Sequence, residues 1–278
     1  MPDTHARLRY RTVILSDTHL GTRDAKAREL LHFLRHIRCD KLVLNGDIID
    51  FWSLRRRPYW TADHTAVLRR ILKMAEKRTE VVYLRGNHDD IPADLMPLVL
   101  DRLTVGDRHV HTTASGVKFL CIHGDAFDTV TTHARWLAVL GDIGYQQLLR
   151  LNRHYNRWRT WRGKDYFSLS QAVKSKVKSA VNYVSDFERH LRVLAVREDC
   201  KGVICGHIHR PENKWTNGIH YINSGDWVES LTAIVEHADG RMEVIDYNAF
   251  LRDLADAEDM LAELPPQPVP AELAETTA

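Results

Sequence analysis

The feature that most constrains this chain is a repeated coupling of apolar runs to polar, chemistry-bearing loops. Thr12-Val-Ile-Leu-Ser16 runs into Asp17-Thr-His19, and Lys41-Leu-Val-Leu-Asn45 runs into Gly46-Asp47-Ile-Ile-Asp50. Val81-Val-Tyr-Leu84 is followed by Gly86-Asn87-His88-Asp89. Later, Val117–Ile122 leads to His123-Gly-Asp125, and Gly202–Cys205 leads to Gly206-His207-Ile-His209. Between the first three runs, Ala25 to Ile37 and His64 to Lys77 carry apolar residues at helical spacing, such as Leu30, Leu31 and Leu34 or Val67, Leu68 and Ile71. This βαβαβ order predicts a central sheet with helices packed on it. In open α/β sheets the crevice outside the carboxyl ends of the strands is where ligands bind. Five loops delivering Asp, His and Asn to that edge can surround one compact site.

From about Arg108 the pattern changes to closely spaced strands, His109–Thr113 and Val117–Ile122. Strands return at Gly202–Cys205, Ile219–Asn223, Leu231–Val235 and Met242–Asp246. The stretch between, Asp128 to Ala195, reads as helical and carries a local charge balance of +7 with three of the chain's seven Trp. The domain reading is therefore a core of residues 1–127 and 196–250, a helical cap insertion of 128–195, and an acidic Pro-rich tail of 251–278. That end holds Pro265-Pro-Gln-Pro-Val-Pro270, and its composition predicts a short helix and then disorder.

Composition excludes several classes. Charged residues make up 27% and hydrophobic ones 44%, the balance of a globular protein, and no apolar run reaches the ~18–20 residues of a membrane span. A formal net charge of +2 gives no electrostatic case for nucleic-acid binding. Residues Met1 to Arg11 are polar and basic, with no apolar run behind them, so no secretory signal is expected. The four cysteines form no CxxC pair and are expected reduced and mostly buried, which points to the cytoplasm. Histidines such as His32, His36 and His64 are read as surface or supporting residues.

The loop residues themselves constrain a metal. Imidazole, carboxylate and one amide, without thiolate, suit Mn, Fe, Ni or Zn better than Ca or Mg. The seven donors Asp17, His19, Asp47, Asn87, His123, His207 and His209 exceed the needs of one ion. They suit a pair ~3.5–4 Å apart with a bridging carboxylate, for which Asp47 on the central loop is the natural choice. The glycines before Asp47, Asn87 and His207 are read as letting the backbone turn sharply.

These five blocks, in this order, resemble those of the calcineurin-like metallophosphoesterase superfamily. The resemblance implies a four-layer αββα sandwich, here with a helical cap insertion, and a dinuclear site. It implies Asp17, His19, Asp47 and His209 on one metal and Asp47, Asn87, His123 and His207 on the other, with manganese foremost and iron or zinc as alternatives. It also implies His88 beside the leaving group, oriented by Asp89. Asp47-Ile-Ile-Asp50-Phe-Trp52, His207-Ile-His-Arg210-Pro211 and Asn223-Ser-Gly-Asp226-Trp227 resemble the branch containing the UDP-2,3-diacylglucosamine hydrolases. Members of that branch carry Arg where this chain has His88. The branch implies a phosphoester or nucleotide-diphospho-lipid substrate. Arg157, Trp158, Trp161 and Lys164 of the insertion would then contact that substrate, and its basic face would contact an anionic inner membrane surface. A general phosphodiesterase or nuclease, or a metal-binding scaffold without turnover, stands as the alternative.

Overall fold

The computed structural model describes residues 6–125, 162, 189–216 and 218–263. Most of the expected cap, including Arg157, Trp158, Trp161 and Lys164, lies outside the described residues. Strands β1 (Leu8–Leu15), β2 (Ile37–Asn45) and β3 (Glu80–Leu84) lie parallel and adjacent. Helices α1 (Ala27–Arg35) and α3 (Ala62–Glu76) form the crossovers, with the short α2 (Phe51–Arg56) before α3. β4 (Leu98–Leu100) and β5 (Leu103–Gly106) extend one edge of this sheet. β11 (Thr232–Glu236) and β12 (Met242–Asp246) extend the other edge, giving the order β12-β11-β1-β2-β3-β5-β4. A second sheet is built from β6 (Arg108–Thr112), β7 (Lys118–Ile122), β8 (Gly202–Cys205), β9 (Glu212–Thr216) and β10 (Ile219–Asn223), in the order β6-β7-β8-β10-β9.

The two sheets pack face to face. Ile14, Val43 and Val82 of the first meet Phe119, Cys121, Ile204 and Ile222 of the second in one buried cluster. Each such aliphatic side chain contributes roughly 1.5–3 kcal/mol by leaving water. The outer face of the first sheet is covered by α1, α3 and α5 (Tyr247–Ala262), through Leu30, Leu34, Val67, Phe250 and Leu254. On the outer face of the second sheet, Leu191 and Ala195 from a helical stretch over 189–197 (α4) pack against Leu120, Val203 and Tyr221. Helix, sheet, sheet and helix thus stack in that order.

One boundary differs from the sequence reading. The expected cap ends at 195, inside α4, whose fully buried Leu191 and Ala195 tie it to the second sheet. The acidic end opens with a helix, α5, whose Phe250 and Leu254 recur at helical spacing and are buried on α1. Asp246 caps that helix by accepting a hydrogen bond from the Ala249 amide. Among the described residues no helix is long and apolar enough to cross a membrane.

One buried carboxylate ties the two sheets together. Glu236 on β11 accepts hydrogen bonds from Arg11 Nη1 at 2.6 Å and the Ala114 amide at 2.7 Å, and its other oxygen lies 2.9 Å from His111 Nε2 on β6. Burial opposes its ionisation, but His111, Thr12, Ala114 and Arg11 outweigh that and lower its pKa to about 2. A depressed folded-state pKa means stability that is present above the unfolded carboxylate value near pH 4.5 and lost as pH falls through about 2. Glu236→Gln is therefore expected to cost about 1–3 kcal/mol at pH 7. The gap to the parent should close as urea melts are repeated toward pH 2; a gap that stays constant would place the loss elsewhere.

Candidate metal centre

The parallel strands of both sheets point their carboxyl ends to one edge of the sandwich. β1 delivers Asp17 and His19, β2 Asp47, and β3 Asn87 and His88. β7 delivers His123, and β8 delivers His207 and His209. Beyond the strands the loops stay zipped together: the Asp17 amide donates to Gly46 O and the His19 amide to Asp47 O, each at 3.0 Å. Five of the seven expected ligands, Asp17, His19, Asp47, His207 and His209, have positive φ between 44° and 66°. Non-glycine residues occupy that region at a cost of about 1–3 kcal/mol each, and such strain concentrates at functional sites.

The side chains converge. Three groups of donor atoms each lie within 4.8 Å of one another: Asp17, His19 and His209; Asp47, His123 and His207; and His19, Asp47 and His88. Asp47 presents one oxygen to each side. Its Oδ1 lies 3.4 Å from His123 Nε2 and its Oδ2 lies 3.8 Å from His19 Nε2. His209 Nε2 lies 3.0 Å from Asp17 Oδ1 and 3.3 Å from His19 Nε2. Among the described residues, the remaining ligand from the sequence, Asn87, has a buried Oδ1 with no hydrogen-bond partner, while Asp17 Oδ1 and His123 Nε2 meet only side chains of the same donor set. Buried polar atoms left without partners cost about 1–3 kcal/mol each unless something else satisfies them. Carboxylate oxygens and imidazole nitrogens grouped this closely, with a buried amide oxygen on the β3 loop, fit divalent cations of the transition series.

The histidine orientations support the same reading. His123 Nδ1 donates to Asn45 O at 2.9 Å, which turns Nε2 toward Asp47. His19 Nδ1 lies 3.2 Å from Asp50 Oδ2, and His209 Nδ1 lies 3.8 Å from Asp226 Oδ2. Backing one ring nitrogen with an acceptor and presenting the other inward is the arrangement of metal-ligating imidazoles. Burial works against the charged form of Asp17, yet His209, His123 and His19 hold its carboxyl well below the usual range. Burial likewise works against charged His123, but Asp47, Asp17 and Asp125 raise it to about 10. The carboxylates thus create a field that demands positive charge at this spot.

Two features differ from the sequence reading. Asp89 does not orient His88. Its carboxylate instead accepts hydrogen bonds from the amides of Asp47, Ile48, Ile49 and Gly86 and from Tyr83 Oη. It braces the β2 loop in the conformation that presents Asp47. The carboxylate that reaches the His88 ring is Asp50, whose Oδ2 lies 3.1 Å from Nδ1. The same carboxylate backs His19, while its Oδ1 caps α2 by accepting from the Ser53 amide at 2.7 Å. Asp50→Asn is expected to lower metal affinity and turnover by about 10–100-fold, the usual cost of losing a group that orients a ligand. Manganese titration with parallel kinetics checks this; a change in only helical content would assign Asp50 to capping alone.

The glycines also act differently from the reading. Gly46 does turn, at φ 87°. Gly86 and Gly206 instead make room. A methyl group on Gly86 would strike Asp47 Oδ1, and one on Gly206 would strike Ser16 and Asp17. Gly86→Ala should therefore displace Asp47 and weaken manganese binding by about tenfold or more with the far-UV spectrum unchanged. Unaltered binding would mean that the loop has slack the packing does not show. The cysteines are as expected: all four are free and buried. His64 belongs to the capping box of α3, accepting at Nδ1 from the Thr61 amide while its own amide donates to Thr61 Oγ1.

The profile of the calcineurin-like phosphoesterase family matches residues 10–211 of the chain. Among curated proteins, the UDP-2,3-diacylglucosamine hydrolase of Shewanella sp. strain MR-7 is 26% identical over 253 residues, covering 83% of this chain and 95% of that one. The enzyme of the same name from Neisseria meningitidis strain Z2491 is 24% identical, covering 80% of this chain and 91% of that one. That from Neisseria gonorrhoeae is 26% identical over 227 residues, with the same coverage. With the family's match spanning every metal-ligand loop on a two-sheet α/β fold, the chain belongs to the calcineurin-like phosphoesterases.

Proposed function

We propose that the protein hydrolyses a phosphoester or pyrophosphate bond of a nucleotide-diphospho-lipid, UDP-2,3-diacylglucosamine or a close relative of it. The observation that carries this reading is the convergence of six metal-type donors, Asp17, His19, Asp47, His123, His207 and His209, in groups that meet at His19 and Asp47, in a chain whose curated relatives carry that hydrolase's name over 91–95% of their length. Asp17, His19, Asp47 and His209 would hold one divalent ion, and Asp47, Asn87, His123 and His207 a second, manganese being first choice and iron or zinc suited to the same donors. Bound there, such ions supply water of low proton affinity and compensate charge on the phosphoryl oxygens.

The protein's own groups do the rest. Asp50 holds the Nδ1 side of His88, so Nε2 faces the crevice, 4.0 Å from Asp47 Oδ2. In its imidazolium form, protonated at both nitrogens, His88 would offer the Nε2 proton to the leaving-group oxygen as the phosphorus–oxygen bond breaks. Trp52, with its ring 4.5 Å from that of His88, walls one side of the imidazole. In this proposal Arg157 and Lys164 meet the diphosphate, while Trp158 and Trp161 cover acyl chains. The basic insertion rests on the inner face of the cell membrane from the cytoplasm.

A second reading is a phosphodiesterase of broader scope. It is favoured by His88 standing where the lipid A hydrolases carry Arg. Product analysis separates the two. Manganese-loaded protein is incubated with UDP-2,3-diacylglucosamine, a CDP-alcohol or bis-p-nitrophenyl phosphate. Cleavage of the UDP-lipid to a nucleoside monophosphate is the expected result. Turnover confined to bis-p-nitrophenyl phosphate would move the assignment to the second reading.

A further inference from the structure

A pocket of about 600 Å³ opens at the opposite end of the first sheet from the metal centre. Its walls come from the amino ends of β1, β2 and β3 and the carboxyl end of α3, and they carry Arg7, Arg9, Arg38, Arg70, Lys77 and Arg78. Among the described residues, Asp40 is the one acid in the lining, 3.9 Å from Arg9. The floor is apolar, formed by buried Ile37 and Met74. Because β1 and β2 run parallel over eight residues of β1, this pocket lies on the order of 25 Å from the metal ligands at the other end of the strands. It is a separate feature of the molecule.

Among the described residues, six cations share this concavity with one carboxylate, a density of like charge that folding alone does not favour. Burial, and then Arg38, holds the Arg7 guanidinium below its ordinary pKa, and burial, then Arg7 and Arg35, does the same to Arg70. These cations repel one another across the pocket. Arg70 is also held in place, its Nε donating to Leu34 O at 2.9 Å at the end of α1. Fixed guanidinium forks are matched to phosphate oxygens, and the volume is that of a small-molecule site. We propose that this pocket binds a compact soluble oligophosphate. The shape selects that ligand over a bilayer, because a flat lipid surface needs a convex basic face whereas these cations line a hollow.

The test uses the full-length, manganese-loaded protein and pyrenetetrasulfonate as probe. Its sulfonates copy the charge and oxygens of phosphate, bind divalent ions poorly and offer no bond to hydrolyse. Fluorescence anisotropy should show saturable binding that weakens at least tenfold in Arg9→Ala/Arg38→Ala, whose side chains are exposed and dispensable to the core. The control variant Arg102→Ala/Arg252→Ala removes two exposed cations elsewhere and should bind as the parent. Cleavage of bis-p-nitrophenyl phosphate should be equal in all three proteins, which reports intact folding and metal loading. Inorganic tripolyphosphate should displace the probe. Equal weakening in both variants, or none in Arg9→Ala/Arg38→Ala, would overturn the proposal. So would displacement by phosphatidylglycerol vesicles and not by tripolyphosphate, which would make this face a membrane contact.

Discussion

Asp47→Asn should lower metal content and turnover by about 10³-fold or more while leaving the fold intact. The size follows from position. Groups that merely orient a ligand cost about 10–100-fold when lost. Asp47 faces His123 with one oxygen and His19 with the other, so its loss weakens both halves of the centre at once. Asparagine is the informative replacement. It tolerates the left-handed backbone that Asp47 adopts at φ 55°, and its amide oxygen can still accept the 2.8 Å hydrogen bond from the His88 amide. What it removes is the charge and one oxygen donor. Elemental analysis and kinetics on a variant with parental circular dichroism would show the effect. A variant that keeps full activity would remove Asp47 from the reaction.

His88→Ala should behave differently. His88 lies within 4.8 Å of Asp47 and His19, but its ring is backed by Asp50 and covered by Trp52, at the rim of the crevice. Its removal is expected to leave metal content unchanged and to lower turnover by about 10²–10⁴-fold for an ester with a poor leaving group. The loss should shrink for p-nitrophenolate, which departs without a proton. Equal losses on both substrates would assign His88 to charge stabilisation of the phosphoryl oxygens. Loss of metal in His88→Ala would make it a ligand.

The site was legible because each of its strands announces itself twice, by an apolar run and by the Asp, His or Asn that ends it. Six of the seven expected donors, all but Asn87, share the donor groups at one edge for that reason. The supporting groups were not legible. Asp89 sits next to His88 in the chain, and the family resemblance implied that it orients that ring. Its true partners are amides of residues 47–49, about forty positions away, whose direction depends on backbone geometry the sequence does not display. Asp50 follows a strand and precedes a six-residue helix, so its capping of α2 could be read locally. Its reach to two imidazoles could not. Gly86 and Gly206 looked like turn residues because glycine usually is one; the demand on them is space beside Asp47, Ser16 and Asp17. The strands β4 and β5 were missed because Leu98–Leu100 is a three-residue edge strand with exposed side chains, too short for a period to show. The helix expected at the acidic end is α5, which two buried apolar residues, Phe250 and Leu254, anchor.

The proposed reaction requires two ions acting together at Asp47. The most direct measurement is the metal content of fully active protein, titrated with manganese and analysed element by element alongside turnover. Activity should rise with occupancy and saturate at about two ions per chain, with the second ion required for turnover. Full activity at one ion per chain or fewer would contradict the account.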